Sequence, residues 1–236
     1  MPITRLHRGP RTAAQAGRAI ICAALSLEAK IIERQFERET WTPDISGLSE
    51  FISHAVNDGC RGIVSYGVAG ALYPDFRSGD IVVGSEVVGP DGSISTDDIW
   101  SAWLLSAIPT AVYGPIVGID IPIAATASRT ELRIRSGALA VDMESHVIAQ
   151  LAATHGLRFV ALRVVIDGVG RNIPPTALAC VSSHGEVSRW RLSRMLLGRP
   201  SDTLDVIKLS TDWVLARKAL LSCSDILGAS VDAIEL

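Results

Sequence analysis

Short apolar runs alternate along this chain with segments whose apolar residues recur every three or four positions. Residues 19–27 make the first run, a buried strand, and residues 29–39 behind it have the make-up of a helix. In LSEFISHAVNDG, Leu48, Phe51, Ile52, Ala55 and Val56 fall on one helical face, and Gly59 supplies the stop. RGIVSYG (61–67) then predicts a second buried strand followed by a turn, GVAGAL, and DIVVGSEVV (80–88) predicts a third. TAVYGPIVGI and IPIAA predict further short strands. After AVDMES, Met143, Val147 and Leu151 recur every four residues up to a helix stop at Gly156. RFVALRVVI (158–166) is nearly all apolar, the mark of a strand buried on both faces. EVSRWRLSRMLL and DTLDVIKLSTDWVLARKALLSC are helical by periodicity. This alternation predicts one α/β domain over residues 19–236, a twisted mixed and largely parallel sheet flanked by helices. A basic tail at 1–18 precedes it, and its C-terminal segment at 183–225 is helical.

Bulk properties narrow the function classes. The chain has 236 residues, 48% hydrophobic and 20% charged, enough to bury a full core. A net charge of −3 supplies no basic field for nucleic acid. Cys22, Cys60, Cys180 and Cys223 lie far apart, without zinc or disulfide spacing, and read as reduced thiols of a cytoplasmic protein. Arg5, Arg8, Arg11 and Arg18 before AIICAALSL imitate a signal peptide, but a charged EAK follows where a cleavage site would stand. Residues 99–119 carry no charge, yet Pro109, Gly114, Pro115 and Gly118 would break a membrane-spanning helix there.

Acidic residues next to core segments then ask for an explanation. Glu28 follows the first strand, the Gly67–Gly70 turn follows the second, and Asp167 follows RFVALRVVI. Ligands of open α/β sheets bind beyond the carboxyl ends of strands, so all three would open on one cleft. Arg163, inside an apolar strand, needs a carboxylate such as Asp142 or Glu144, or an anionic ligand. Glu144 at a helix start also complements the helix dipole, and Met143 reads as core packing. His146 and His155 lack a third metal ligand at suitable spacing and read as surface or capping residues.

SYGVAGALYPDFRSGDIVV, AVDMES and ALRVVIDG together resemble the nucleoside phosphorylase/nucleosidase superfamily, on the branch that includes adenine-releasing nucleosidases. RNIPP and GEVSRWRLSRMLLGRP are most similar to the hopanoid-associated phosphorylase group, which implies removal of adenine from adenosylhopane. The resemblance implies a nucleoside phosphorylase-like fold and cleavage of a ribose C1′–N9 bond. It makes Asp167 the acid at purine N7, whose proton a dry cleft would hold, and Glu144 the acceptor of the ribose hydroxyls. Met143 packs on the ribose, Gly67, Val68 and Gly70 line the base and nucleophile, and Arg163 stands near the nucleophile. Glu28 matches the glutamate that activates water in hydrolytic members. Phosphorolytic members carry a glycine-rich turn and an arginine there, whereas this chain reads AALSLEAK. Water is therefore the expected nucleophile, with phosphate as the alternative co-substrate and no other cofactor. Ile166 and Val68 stand at positions that are often serine in the family. The family also implies a homodimer.

A hopanoid substrate would require an apolar channel and contact with a bilayer. DIWSAWLLSAI puts Trp100, Trp103, Leu104 and Ala107 on one helical face, and SRWRLSRMLLGR sets Arg189, Arg191, Arg194 and Arg199 around Trp190 and Leu196. Ordinary packing of amphipathic helices accounts for the same pattern. The expected partners are an adenosyl small molecule or lipid, with peripheral contact at the inner membrane face. A soluble methylthioadenosine/S-adenosylhomocysteine nucleosidase and a non-catalytic nucleoside-binding protein are the competing readings.

Overall fold

A computed structural model describes residues 19–23, 28, 40–41, 45–123, 125–169 and 203–230. In order they form β1 (Ala19–Ala23), β2 (Thr40–Trp41), α1 (Ile45–Asn57), β3 (Gly62–Ala71), β4 (Ile81–Gly89) and β5 (Gly92–Ser95). Then come α2 (Asp98–Ala107), β6 (Val112–Gly118), α3 (Thr126–Ser136), β7 (Ala140–Asp142), α4 (Ser145–Thr154), β8 (Arg158–Asp167) and α5 (Thr203–Ser230). The architecture is a single α/β domain with a mixed sheet between helices.

The eight strands run in the order β2-β1-β3-β7-β6-β4-β5, and β8 pairs with both β3 and β4. The pairings β3 to β8, β8 to β4, β4 to β6, β6 to β7 and β7 to β3 therefore close into a ring. Parallel pairs join β1 to β2, β1 to β3, β3 to β8, β4 to β6 and β6 to β7, and the other three pairings are antiparallel.

Alternation along the strands divides the core between two faces, as a doubly covered sheet requires. Ile21, Val64, Tyr66, Val83, Leu162 and Val164 pack with Trp100 and Leu104 of α2 and with Ala216, Leu220 and Leu227 of α5. Ile20, Cys22, Ile63, Val82, Ala161 and Val165 pack on the other side with Ile52 of α1 and with Ile148 and Ala152 of α4. The buried Tyr66 hydroxyl donates to the Leu220 carbonyl at 2.6 Å, which ties α5 to the central strand.

Three expectations change. GVAGAL is not a turn: β3 continues through Ala71, paired with β8 as far as Gly70 opposite Asp167, with a register shift between Ala69 and Gly70. Val68, Ala69 and Ala71 suit a strand, and that outweighs the two glycines. The described residues of IPIAA form no strand; Pro122 lacks a ladder donor, and α3 begins at Thr126. The DIWSAWLLSAI face is no membrane surface, because Trp100 and Leu104 are 4% and 0% exposed and lie in the core. Gly62 makes room for that packing, since a Cβ there would stand 2.2 Å from the Trp100 ring. The 29–39 helix and the arginines at 189–199 lie outside the described residues, as does Cys180. Among the described residues no helix is long and apolar enough to cross a membrane.

Candidate active site

β1, β3 and β8 lie side by side and parallel, so their carboxyl ends open in one direction. Glu28, in helical backbone beyond β1, is 1% exposed. Its Oε1 accepts the Val68 backbone N–H at 2.8 Å. Gly67 allows that approach, because a Cβ there would fall 2.8 Å from Glu28 Oε2. The glycine thus serves a close contact between strand backbone and carboxylate rather than a turn.

Arg163 lies across from Gly67 in the β3–β8 register, with its guanidinium in the core. Of the partners open to it, Asp142 is the one it meets, through Nε to Oδ2 at 2.5 Å. Nη1 donates to the carbonyls of Ser65 and Leu162, and Nη2 to Ser65 Oγ at 2.7 Å. Asp142 completes its own shell with Oδ1, which accepts from the backbone N–H groups of Glu144 and Ser145 and from Ser145 Oγ. That set caps the start of α4 and fixes the backbone that carries Met143 and Glu144. Met143 itself is exposed rather than packed in the core.

Glu144 is half-buried, and its Oε2 accepts the Met143 N–H at 3.3 Å. Burial pushes its carboxyl up to about 8; the charges of Asp142 and Glu28 push the same way, against Arg163 and the Met143 N–H. Glu28, Asp142 and Glu144 therefore feel one another across a single site.

Asp167 ends β8 beside Gly70, whose other neighbour in the sheet is Val141 of β7. Its Oδ2 meets Nη2 of Arg129 at 2.5 Å, with both side chains 2% exposed. Arg129 Nε donates to the Ile123 carbonyl at 3.3 Å, while the buried Nη1 has no hydrogen-bond partner among the described residues. The guanidinium lies flat against Gly70: a Cβ there would be 3.4 Å from Cζ, Nη1 and Nη2 alike.

Glu28, Gly67, Val68, Gly70, Arg163, Asp167, Met143 and Glu144 thus sit on four neighbouring segments around the end of β3. Sequence reasoning missed Arg129, the one buried residue of α3. Its surroundings, TASRTELRIRS, read as a solvated helix, and nothing in that polar stretch marks one arginine as inward-facing. Ser65 and Ser145 were equally silent. His146 is not at the surface; its side chain is 10% exposed, packs where Gly118 lacks a Cβ, and reaches Asp120 Oδ1 through Nε2 at 3.1 Å.

Residues 6–194 match the family model described as the Phosphorylase superfamily. The chain belongs to that superfamily. Curated relatives include the 5′-methylthioadenosine/S-adenosylhomocysteine nucleosidases of Mycobacterium bovis and Mycobacterium tuberculosis, each 26% identical over 155 residues. Those matches cover 48% of this chain and 61% of the relatives, so the chain spans about three fifths of their length. Among solved structures, a Helicobacter pylori MTAN mutant with 5′-methylthioadenosine in its active site aligns with a TM-score of 0.67 at 16% identity. That alignment covers 92% of this chain and 99% of the other. Futalosine hydrolase of Helicobacter pylori aligns with a TM-score of 0.58 at 18% identity, over 64% of this chain and 88% of that one. Both of these structures share this fold.

Proposed function

We propose that the protein is a nucleosidase that cleaves the C1′–N9 bond of an adenosyl compound and releases adenine. The observation that carries this reading is the gathering of Glu28, Glu144 and Asp167 around the end of β3, each set by a different neighbouring segment. In this reading Glu28 takes a proton from water as the water oxygen bonds to C1′ and the C1′–N9 electron pair passes to the purine. Glu144 accepts the ribose hydroxyls, whose donors favour its ionised form and offset the burial that otherwise holds its proton. Asp167 meets the N7 edge of the departing base. Arg163, each of whose three nitrogens donates to Asp142, Ser65 or Leu162, holds the frame rather than an anion. Phosphate remains the alternative nucleophile, but an anionic Glu28 beside its site would repel it.

The 5′ substituent divides two readings. RNIPP and the arginine-rich segment support adenosylhopane, with ribosylhopane or phosphoribosylhopane as product and contact with the inner membrane face, and the family resemblance adds a homodimer. The names of the curated relatives favour methylthioadenosine or S-adenosylhomocysteine instead. A non-catalytic nucleoside binder would not need three converging carboxylates.

Adenine release from methylthioadenosine and from an adenosyl-lipid analogue, with and without phosphate and with products identified by mass, tests all of this. Release without phosphate is expected, and Asp167→Asn should slow it by about 100-fold or more. No adenine from either compound under either condition would overturn the reading.

A further inference from the structure

We infer that Ser145 is a positioning residue for the ribose ligand Glu144: together with Asp142 it secures the start of α4 and leaves the Glu144 carboxylate to the substrate. This rests on the nucleosidase reading and adds a residue to it. Glu144 stands at the N-cap of α4, where a side-chain oxygen ordinarily turns back to accept a backbone N–H of the first turn. Its side chain makes no such bond, and among the described residues it accepts only the Met143 N–H, at 3.3 Å. Asp142, two residues earlier, supplies the acceptor at this helix start instead. Its Oδ1 takes the N–H groups of Glu144 and Ser145 at 3.2 and 3.0 Å.

A carboxylate can take that part only if it is held still. Asp142 closes β7, where its backbone is paired with Gly118 of β6, and Arg163 Nε holds its Oδ2. Ser145 Oγ holds the other oxygen, donating to Oδ1 at 2.7 Å, a shorter bond than either backbone contact. Ser145 is 0% exposed, so water cannot stand in for the hydroxyl. Without it Oδ1 keeps two longer bonds, the carboxylate can turn about its Arg163 anchor, and the Glu144 backbone follows. Glu144 can then bend back over its own helix start, whose N–H groups and dipole attract a carboxylate in competition with the ribose hydroxyls. Recognition of a sugar hydroxyl needs its acceptor placed to within about 0.5 Å, so a shift of this kind loosens the grip without removing the ligand residue.

The test sets methylthioadenosine beside its 3′-deoxy analogue in wild type, Ser145→Ala and Ser145→Thr. Should wild type cleave only the adenosyl-lipid analogue, that compound and its 3′-deoxy form take their place. Comparing the two substrates within each protein, and then the proteins with one another, cancels the intrinsic reactivity of the analogue. In wild type the missing hydroxyl should cost about 30-fold in kcat/KM, the scale of one hydrogen bond to a charged group. In Ser145→Ala that cost should shrink by more than about 3-fold, because the hydroxyl no longer meets a well-placed carboxylate. Ser145→Thr keeps the donor and should keep the cost.

A residue that only stabilises the fold would lower kcat/KM for both substrates alike and leave the cost of the missing hydroxyl unchanged. That result, or a threonine variant that behaves as alanine does, overturns the assignment and leaves the nucleosidase reading standing. Ser145→Gly removes the same hydroxyl and carries the test in place of an alanine variant that does not fold. A wild type indifferent to the 3′-hydroxyl also overturns the assignment alone. Wild type that releases no adenine from either parent compound overturns the nucleosidase reading and this assignment with it.

Discussion

Two buried arginine–aspartate pairs stand a few residues apart on β8 and differ in what surrounds them. Arg163 spends every arm of its guanidinium on Asp142, on Ser65 and on the Leu162 carbonyl. Arg129 meets Asp167 and the Ile123 carbonyl, and its third nitrogen has no hydrogen-bond partner among the described residues. The first pair is closed, and the segment it fixes carries the candidate ribose ligand. Burial and charge are alike in both, so hydrogen-bond saturation is what separates the two pairs.

The sharpest way to break the comparison is to remove the closed pair. Arg163→Met strands Asp142 and both acceptors of Ser65 in the core and should destabilise the fold by about 3–5 kcal/mol. Its melting temperature should fall by roughly 10 °C. If Arg163→Met melts with wild type while Arg129→Met does not, the comparison has been read the wrong way round.

A middle-sized effect concerns Glu144, whose carboxyl holds its proton up to about 8 against an ordinary 4.5. The folded chain binds the extra proton between those values, so Glu144 supports folding below about pH 4.5 and that support is lost as pH rises through about 8. Melting temperature should therefore fall more steeply from about pH 5 to about pH 9 in wild type than in Glu144→Gln. Parallel curves would show that burial does not hold the proton on Glu144. The smallest effect belongs to an exposed counterpart of the two pairs, Arg158 Nε to Asp97 Oδ2 at 3.7 Å. Arg158→Ala should change stability by less than about 1 kcal/mol, since solvent screens such pairs.

The α/β alternation was readable because β1, β3, β4 and β8 are apolar enough to be covered on two sides and α1, α2 and α4 each have one apolar face. AVDMES and the end of RFVALRVVI were readable because acids next to apolar segments are rare. What escaped depended on tertiary position. Arg129 belongs to the most polar helix, and only the place of α3 beside β8 turns it inward. Gly67 and Gly70 signalled backbone freedom, whereas their service is the space they leave for Glu28 and for the Arg129 guanidinium. β5 and β7 are four and three residues long, too short for periodicity to register.

The circuit formed by β3, β8, β4, β6 and β7 has a bearing on how such a protein can diversify. Among the described residues each of those five strands pairs with two others of the circuit, which leaves few backbone groups to which a peptide or a further strand could add. Selectivity at that rim falls to side chains at the strand tips, which can be exchanged without unzipping the circle beneath them.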